Sequence, residues 1–259
     1  MDKFSHFFRQ VCKEKYTPLR FVLIRQTYSR IVNDVLQTFR LKKSRGVPVV
    51  TIEFGVTPLC MNVPNCDVGA YSLETLSLDA YANWGWQYHP DSQESVLYCI
   101  ELLMHQIDLE VIPFFEKADC CRTALPEMIS MDRRIEINRL QLLQQLGTVD
   151  HCSLPIDVRL LTDDKFYMAL KAKNYDFVGK YLDYQIQHLS SIINEMESGT
   201  SGVIQPAYVV SGYREQLDDI LVKRAKLDCG DVDYFFDMIQ QNETASYQNL
   251  SYISRGKLC

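Results

Sequence analysis

Cysteine and histidine are the side chains of this chain best suited to metal binding or nucleophilic attack, and their spacing decides what they can do. Cys60 and Cys66 have five residues between them, Cys120 and Cys121 are adjacent, and His151 precedes Cys152. Structural zinc takes ligands paired across about two to four residues, and none of these pairs has that spacing. Free cysteine is among the most commonly buried side chains, so buried thiols are the expectation here. A thiol nucleophile needs a histidine base beside it. Cys66 with His89 and Cys152 with His151 are the two pairs to follow, and neither lies in a cysteine-enzyme signature.

The carboxylate doublets Asp163-Asp164 and Asp218-Asp219 do not make an acid–base pair, because adjacent residues point to different sides of a helix. The first doublet sits where a helix should start and reads as a cap; the second reads as solvated surface. No G-x-S-x-G, H-E-x-x-H, phosphate-binding loop or G-x-G-x-x-G occurs, and glycine is scarce at 11 residues. No catalytic, cofactor-binding or metal-binding residue is therefore assigned. The remaining candidates are the strand residues Tyr28, Arg30 and Gln37 with Trp84, Trp86 and His89 of an aromatic loop. Together they would frame a ligand or partner pocket, the indole N–H groups serving as polar handles. The simpler reading is a long loop pinned to a sheet by its aromatic rings.

These residues need elements to hold them. At 259 residues and 47% hydrophobic side chains, the chain has ample material for a core. A net charge of −6 disfavours nucleic acid as a partner, since phosphate backbones are repelled. The densest basic run, Arg40, Lys42, Lys43 and Arg45, falls where a hairpin turn is expected and reads as a solvated turn. No apolar run approaches the roughly 20 residues of a membrane span. The N-terminus is a short amphipathic helix broken by charges, not a signal peptide. A cytoplasmic location follows as the expectation, with all nine cysteines as thiols.

Strand-like alternation begins after Pro18. The runs 21–32, 35–42 and 47–57 are separated by the turns Asn33-Asp34 and Ser44-Arg45-Gly46, too short for anything but antiparallel neighbours. A three-stranded meander is predicted. Residues 91–117 form the central amphipathic helix, with Asp91 and Glu94 at capping-box spacing and Pro113 ending or kinking it. Helices are predicted over 123–145, 163–173, 175–197, 213–227 and 231–241, with a loosely packed tail. Residues 166–186 have the look of one tetratricopeptide-style helix pair, with a fainter echo from Phe235 onward.

The ordered set of Tyr28-x-Arg30, Gln37, Gly55, Trp84 or Trp86, and Pro113 to Glu116 resembles a bacterial domain-of-unknown-function family numbered 4304, over roughly residues 15–125. One departure is Arg20, where that family tends to have glycine. The resemblance implies an α+β fold and no established activity.

The fold class expected is α+β: a small antiparallel β-meander packed with helices, followed by an all-helical C-terminal region. The organisation expected is an α+β domain at 1–118 and a helical region at 119–259. No motif names a reaction. The leading reading is a non-enzymatic cytosolic protein-interaction module with a protein partner. The alternative is a small-molecule-binding protein or hydrolase-like enzyme using the sheet face and the Trp84–His89 loop.

Overall fold

A computed structural model describes residues 3–66, 71–76, 85–147, 161–198 and 207–254. It is an α+β fold: an antiparallel sheet in the N-terminal half, then helices. Helix α1 (Lys3–Tyr16) comes first, with Phe4, Phe8, Cys12 and Tyr16 buried along one face. The spacing i, i+4 of these four is what lays a helix flat on a core. The chain leaves α1 through Arg20, whose φ of 66° is a left-handed conformation that glycine adopts more easily.

Six strands follow: β1 (Val22–Ile24), β2 (Thr27–Val32), β3 (Val35–Lys43), β4 (Val49–Pro58), β5 (Tyr71–Ser72) and β6 (Trp86–Gln87). The meander is thus longer than the three strands predicted. β1 joins it by a hairpin through Arg25-Gln26, and β5 and β6 both pair with β4. Asn33 supplies the left-handed residue of the β2–β3 turn, at φ 49°. The basic run is also placed differently: Arg40, Lys42 and Lys43 lie on β3 and only Arg45 falls in the turn. Ladder pairing with β4 extends as far as Lys43, which overrides the turn propensity of the run.

Helix α2 (Gln93–Gln106) starts one residue later than the spacing of Asp91 and Glu94 suggests. Ser92 is the cap, its hydroxyl accepting from the Ser95 N–H at 3.2 Å. A π-helical turn (Ile107–Val111) leads without a break into α3 (Ile112–Lys117). Pro113 lacks an N–H, and the ladder changes register just ahead of it, so the proline does not end the helix. Ile100, Leu103, Ile107 and Val111 are buried in the same core as Val50, Ile52 and Phe54 of the sheet. Rings complete the contact, with Phe54 edge-on to Phe114 and Phe115 of α3.

The helical half comprises α4 (Cys121–Gln145), α5 (Asp163–Lys171), α6 (Tyr175–Ser198), α7 (Ala207–Asp228), α8 (Val232–Asn249) and α9 (Ser251–Ser254). The main core runs on from the sheet through Met128 of α4, Phe166 of α5, Leu182 of α6 and Phe235 of α8. A smaller cluster lies on the other face of the sheet, where Leu250 and Ile253 cover Leu36, Leu59 and Val63. The end of the described chain is therefore docked rather than loose. Ser246 shows how: its hydroxyl donates to Leu59 O at 2.6 Å and accepts from Val63 N–H at 2.7 Å. The fainter repeat echo, Phe235 to Ile253, falls mostly on α8, which is unbroken to Asn249, and ends in α9. Among the described residues no helix is long and apolar enough to cross a membrane.

Candidate functional site

Arg30 and Gln37 meet inside the fold, while Tyr28, two residues along β2, has other partners. Gln37 is fully buried, and its amide donates to Phe115 O at 2.6 Å and Ala118 O at 3.0 Å. Those are the last carbonyls of α3, which have no partner within the helix, so Gln37 caps its C-terminus. Arg30 Nε donates to Gln37 Oε1 at 2.7 Å, and its guanidinium also reaches Leu19 O at 3.0 Å. The same group lies 4.5 Å from the centroid of the Phe21 ring. Burial, opposed by the charge of Glu116, lowers the Arg30 pKa, yet an arginine stays charged in proteins. Tyr28 stacks on Phe39 at 4.9 Å, and its hydroxyl points to Arg9 O at 3.3 Å.

The aromatic loop ends elsewhere. Trp86 is level with Val50 on β4, whereas Arg30 and Gln37 are level with Val56. Six residues of strand separate them, about 20 Å at ~3.3 Å per residue. Gly85 permits the Trp86 pairing: its φ is +119°, and a Cβ there would stand 2.5 Å from Val50 O. His89 is exposed, and its backbone N–H donates to Ser95 Oγ at 2.9 Å. Trp84 lies outside the described residues, as do His151 and Cys152. Among the described residues, Trp86 thus lies far along the sheet from Arg30 and Gln37.

The described cysteines disperse as well. Cys66 faces the Tyr252 hydroxyl at 3.3 Å, and Cys120 meets Thr123 of its own helix. Cys60 and Cys121 do come together, both buried; a hydrogen bond with Cys60 and burial push the Cys121 thiol well above its ordinary pKa. Such a thiol is a poor nucleophile. Burial pushes Cys99 up to about 11 in the same direction. Among the described residues no three His, Cys, Asp or Glu side chains gather in metal-binding geometry.

What the sequence reading missed is a groove in the helical half, between the α5–α6 junction and α8. The spacing of α8 builds it. Phe235 and Ile239 point inward and are buried, while Val232 and Phe236, one turn apart, remain 47% and 62% exposed. Leu170 and Tyr175 form the facing wall, and the cavity measures about 360 Å³. Asp231 caps α8 by accepting from Tyr234 N–H at 3.2 Å, which sets the phase that turns Phe236 outward. Asn174 likewise accepts from Phe177 N–H at 3.2 Å, and Lys173 before it takes φ 59°, so the opposite wall is a tight turn. Lys171 closes one end, paired with Glu243 at 2.6 Å. Burial opposes the Lys171 charge, but the nearby Glu243 carboxylate prevails and raises its pKa, so the ammonium stays charged. A sequence signal existed: Tyr234, Phe235 and Phe236 in a row leave one ring with no place in a single buried stripe.

No protein-family model, no curated protein and no solved structure matches this chain.

Proposed function

We propose that the chain is a protein-interaction module whose docking site is the groove between α5–α6 and α8. The observation that carries this is Phe236 exposed above a floor of buried Phe235 and Ile239, with Val232 one turn before it. Exposed phenylalanine gains free energy by leaving water, and a ring beside a preformed apolar floor is the usual anchor of an interface. The occupant that fits is a short segment of another protein bringing two apolar side chains about one helical turn apart, matching Val232 and Phe236. The polar pair of the sheet supports the same reading, because Gln37 spends both amide donors within the fold and Arg30 is held there by two of its own.

The test is recovery of partners from the native cell by affinity capture and mass spectrometry, with three baits. Wild-type protein should enrich a partner that Phe236→Ser loses, and Tyr98→Ser should retain it, since Tyr98 is equally exposed on α2. Sedimentation of the purified chain tells a second copy from a foreign partner. Equal recovery by Phe236→Ser and wild type overturns the groove as the docking site.

The kinship read for residues 15–125 remains part of this proposal. Its support is that three features of the ordered set, Arg30, Gln37 and the Pro113–Glu116 run, touch: Arg30 bonds Gln37, and Gln37 bonds Phe115 O. Residues that form one buried hydrogen-bonded unit are under a common structural constraint.

A further inference from the structure

Charge on the walls of the groove beside Phe236 narrows what it can take. Among the described residues that line it, the charged ones are Lys171, Lys173 and Glu243. Lys171 and Glu243 are paired with each other at 2.6 Å. Lys173 is exposed, and among the described residues its ammonium has no hydrogen-bond or ion-pair partner. Two cations against one carboxylate leave the lining with a formal surplus of one positive charge, in a protein whose total is −6. Tyr175 lines the same wall two residues on, and among the described residues its hydroxyl is also unpaired.

Lys173 stands where the backbone favours a different residue. Its own N–H donates to Leu170 O at 3.0 Å, and the Asn174 N–H donates to Ala169 O at 2.8 Å. That pair of bonds closes a helix through one left-handed residue, and Lys173 is that residue, at φ 59°. Glycine fills such a place most readily, whereas a longer side chain is held there at a conformational cost. The turn closes with either residue; what lysine adds is a cation beside the apolar floor. The exposed carboxylates Asp176, Asp233 and Asp237 lie outside the lining. The Lys173 wall is therefore where an acidic group of a partner meets least repulsion.

We propose that the segment docking in this groove carries an acidic side chain beside its two apolar ones, and that this carboxylate pairs with Lys173. The Tyr175 hydroxyl is a second donor to the same group. The inference rests on the docking reading above and names the chemistry of the partner. An apolar floor alone accepts many segments, whereas a charge at the rim fixes the register and rejects basic ones.

Selection from a random-peptide display library tests the two statements separately, with the wild-type chain as target and Phe236→Ser for counter-selection. Peptides that bind through Phe236 should carry Asp or Glu at a fixed distance from a pair of apolar residues. For such a peptide, Lys173→Glu should weaken binding about tenfold or more, and replacing the peptide's acid by lysine should restore binding to that variant. Lys173→Gly should weaken binding about twofold to fivefold while melting no lower than wild type. If it melts lower, Lys173→Asn takes its place, since asparagine tolerates the same backbone. Lys13→Glu, the same charge reversal on exposed α1 surface, should leave binding within about twofold. Failure to recover any Phe236-dependent peptide overturns the docking reading and this inference with it. Phe236-dependent peptides without a recurring acid, equal binding by Lys173→Glu and wild type, or equal weakening by Lys13→Glu overturns this inference alone.

Discussion

Two buried polar groups show what single residues contribute. Gln37 satisfies two carbonyls and is itself held by Arg30, all out of water. Gln37→Leu keeps the size but strands Phe115 O and Ala118 O, at about 1–3 kcal/mol for each unsatisfied group. Chemical denaturation should show that loss, while partner capture by the folded fraction stays unchanged; intact stability would mean the cap is not made. Lys165 of α5 is the other case: 4% exposed, its ammonium is 2.7 Å from Asp132 Oδ2 and donates to Thr162 Oγ1 at 2.9 Å. The Asp132 contact is ionic in character, since its direction departs from hydrogen-bond geometry. Burial, only partly offset by Lys165, pushes the Asp132 carboxyl above the ordinary carboxylate range. Its folded pKa thus exceeds its unfolded value of about 3.9, so the native state binds this proton more tightly. Its contribution to stability therefore grows as pH falls through the folded pKa and is lost as pH rises through it. Asp132→Asn should abolish that component, giving a stability profile that falls less steeply with rising pH on the acid side than wild type. Parallel profiles for the two proteins would refute the shift. Lys165→Met leaves the carboxylate buried without its counter-ion, and should cost about 3–5 kcal/mol at neutral pH.

Among the elements, the central helix carries most of the sheet's cover. Leu103 of α2 is fully buried, whereas Glu101 on the same helix faces solvent. Leu103→Ala removes transfer energy and leaves a cavity, about 2–5 kcal/mol, against within about 0.5 kcal/mol for Glu101→Ala. Thermal midpoints of both variants check this, and a silent Leu103→Ala would mean that the helix faces another way. The helix was readable because its apolar residues repeat every three or four positions. Its start was not, since Asp91 and Ser92 are both good caps and only the geometry at His89–Ser95 chooses between them. The short strands β5 and β6 escaped the sequence reading for a related reason: two residues carry no alternation, and pairing to β4 alone makes them strands.

Across the whole molecule, the two halves share a core and a set of polar clasps. Asn242 donates to Cys60 O at 2.9 Å, Asn249 to Val63 O at 3.2 Å, and the Tyr247 hydroxyl to Asn33 O at 2.9 Å. Each ties α8 to the sheet or the loop after β4. Unfolding should accordingly be one transition. Tryptophan fluorescence reports the N-terminal half, where both tryptophans lie, and far-ultraviolet circular dichroism is dominated by the helices. The two denaturation curves should superimpose. Midpoints that separate would show the halves unfolding independently, and the clasps would then count for little.

The sequence by itself determined the class of fold, because periodicities of two and of 3.6 are local properties that survive without knowledge of the partner surface. It placed β2, β3 and β4 by their alternation and short turns, and it placed the long helices by their stripes. Tyr28, Arg30 and Gln37 were singled out through the resemblance to a family, not by any local pattern. What those residues do depended on α3, 78 positions from Gln37, arriving with two carbonyls to satisfy. The groove at Phe236 likewise exists only because α8 docks on the loop after β4 and presents one ring too many for its buried face. Contacts between distant segments carry no local pattern, so only the tertiary structure could decide which polar and apolar groups were consumed by folding and which were left at the surface.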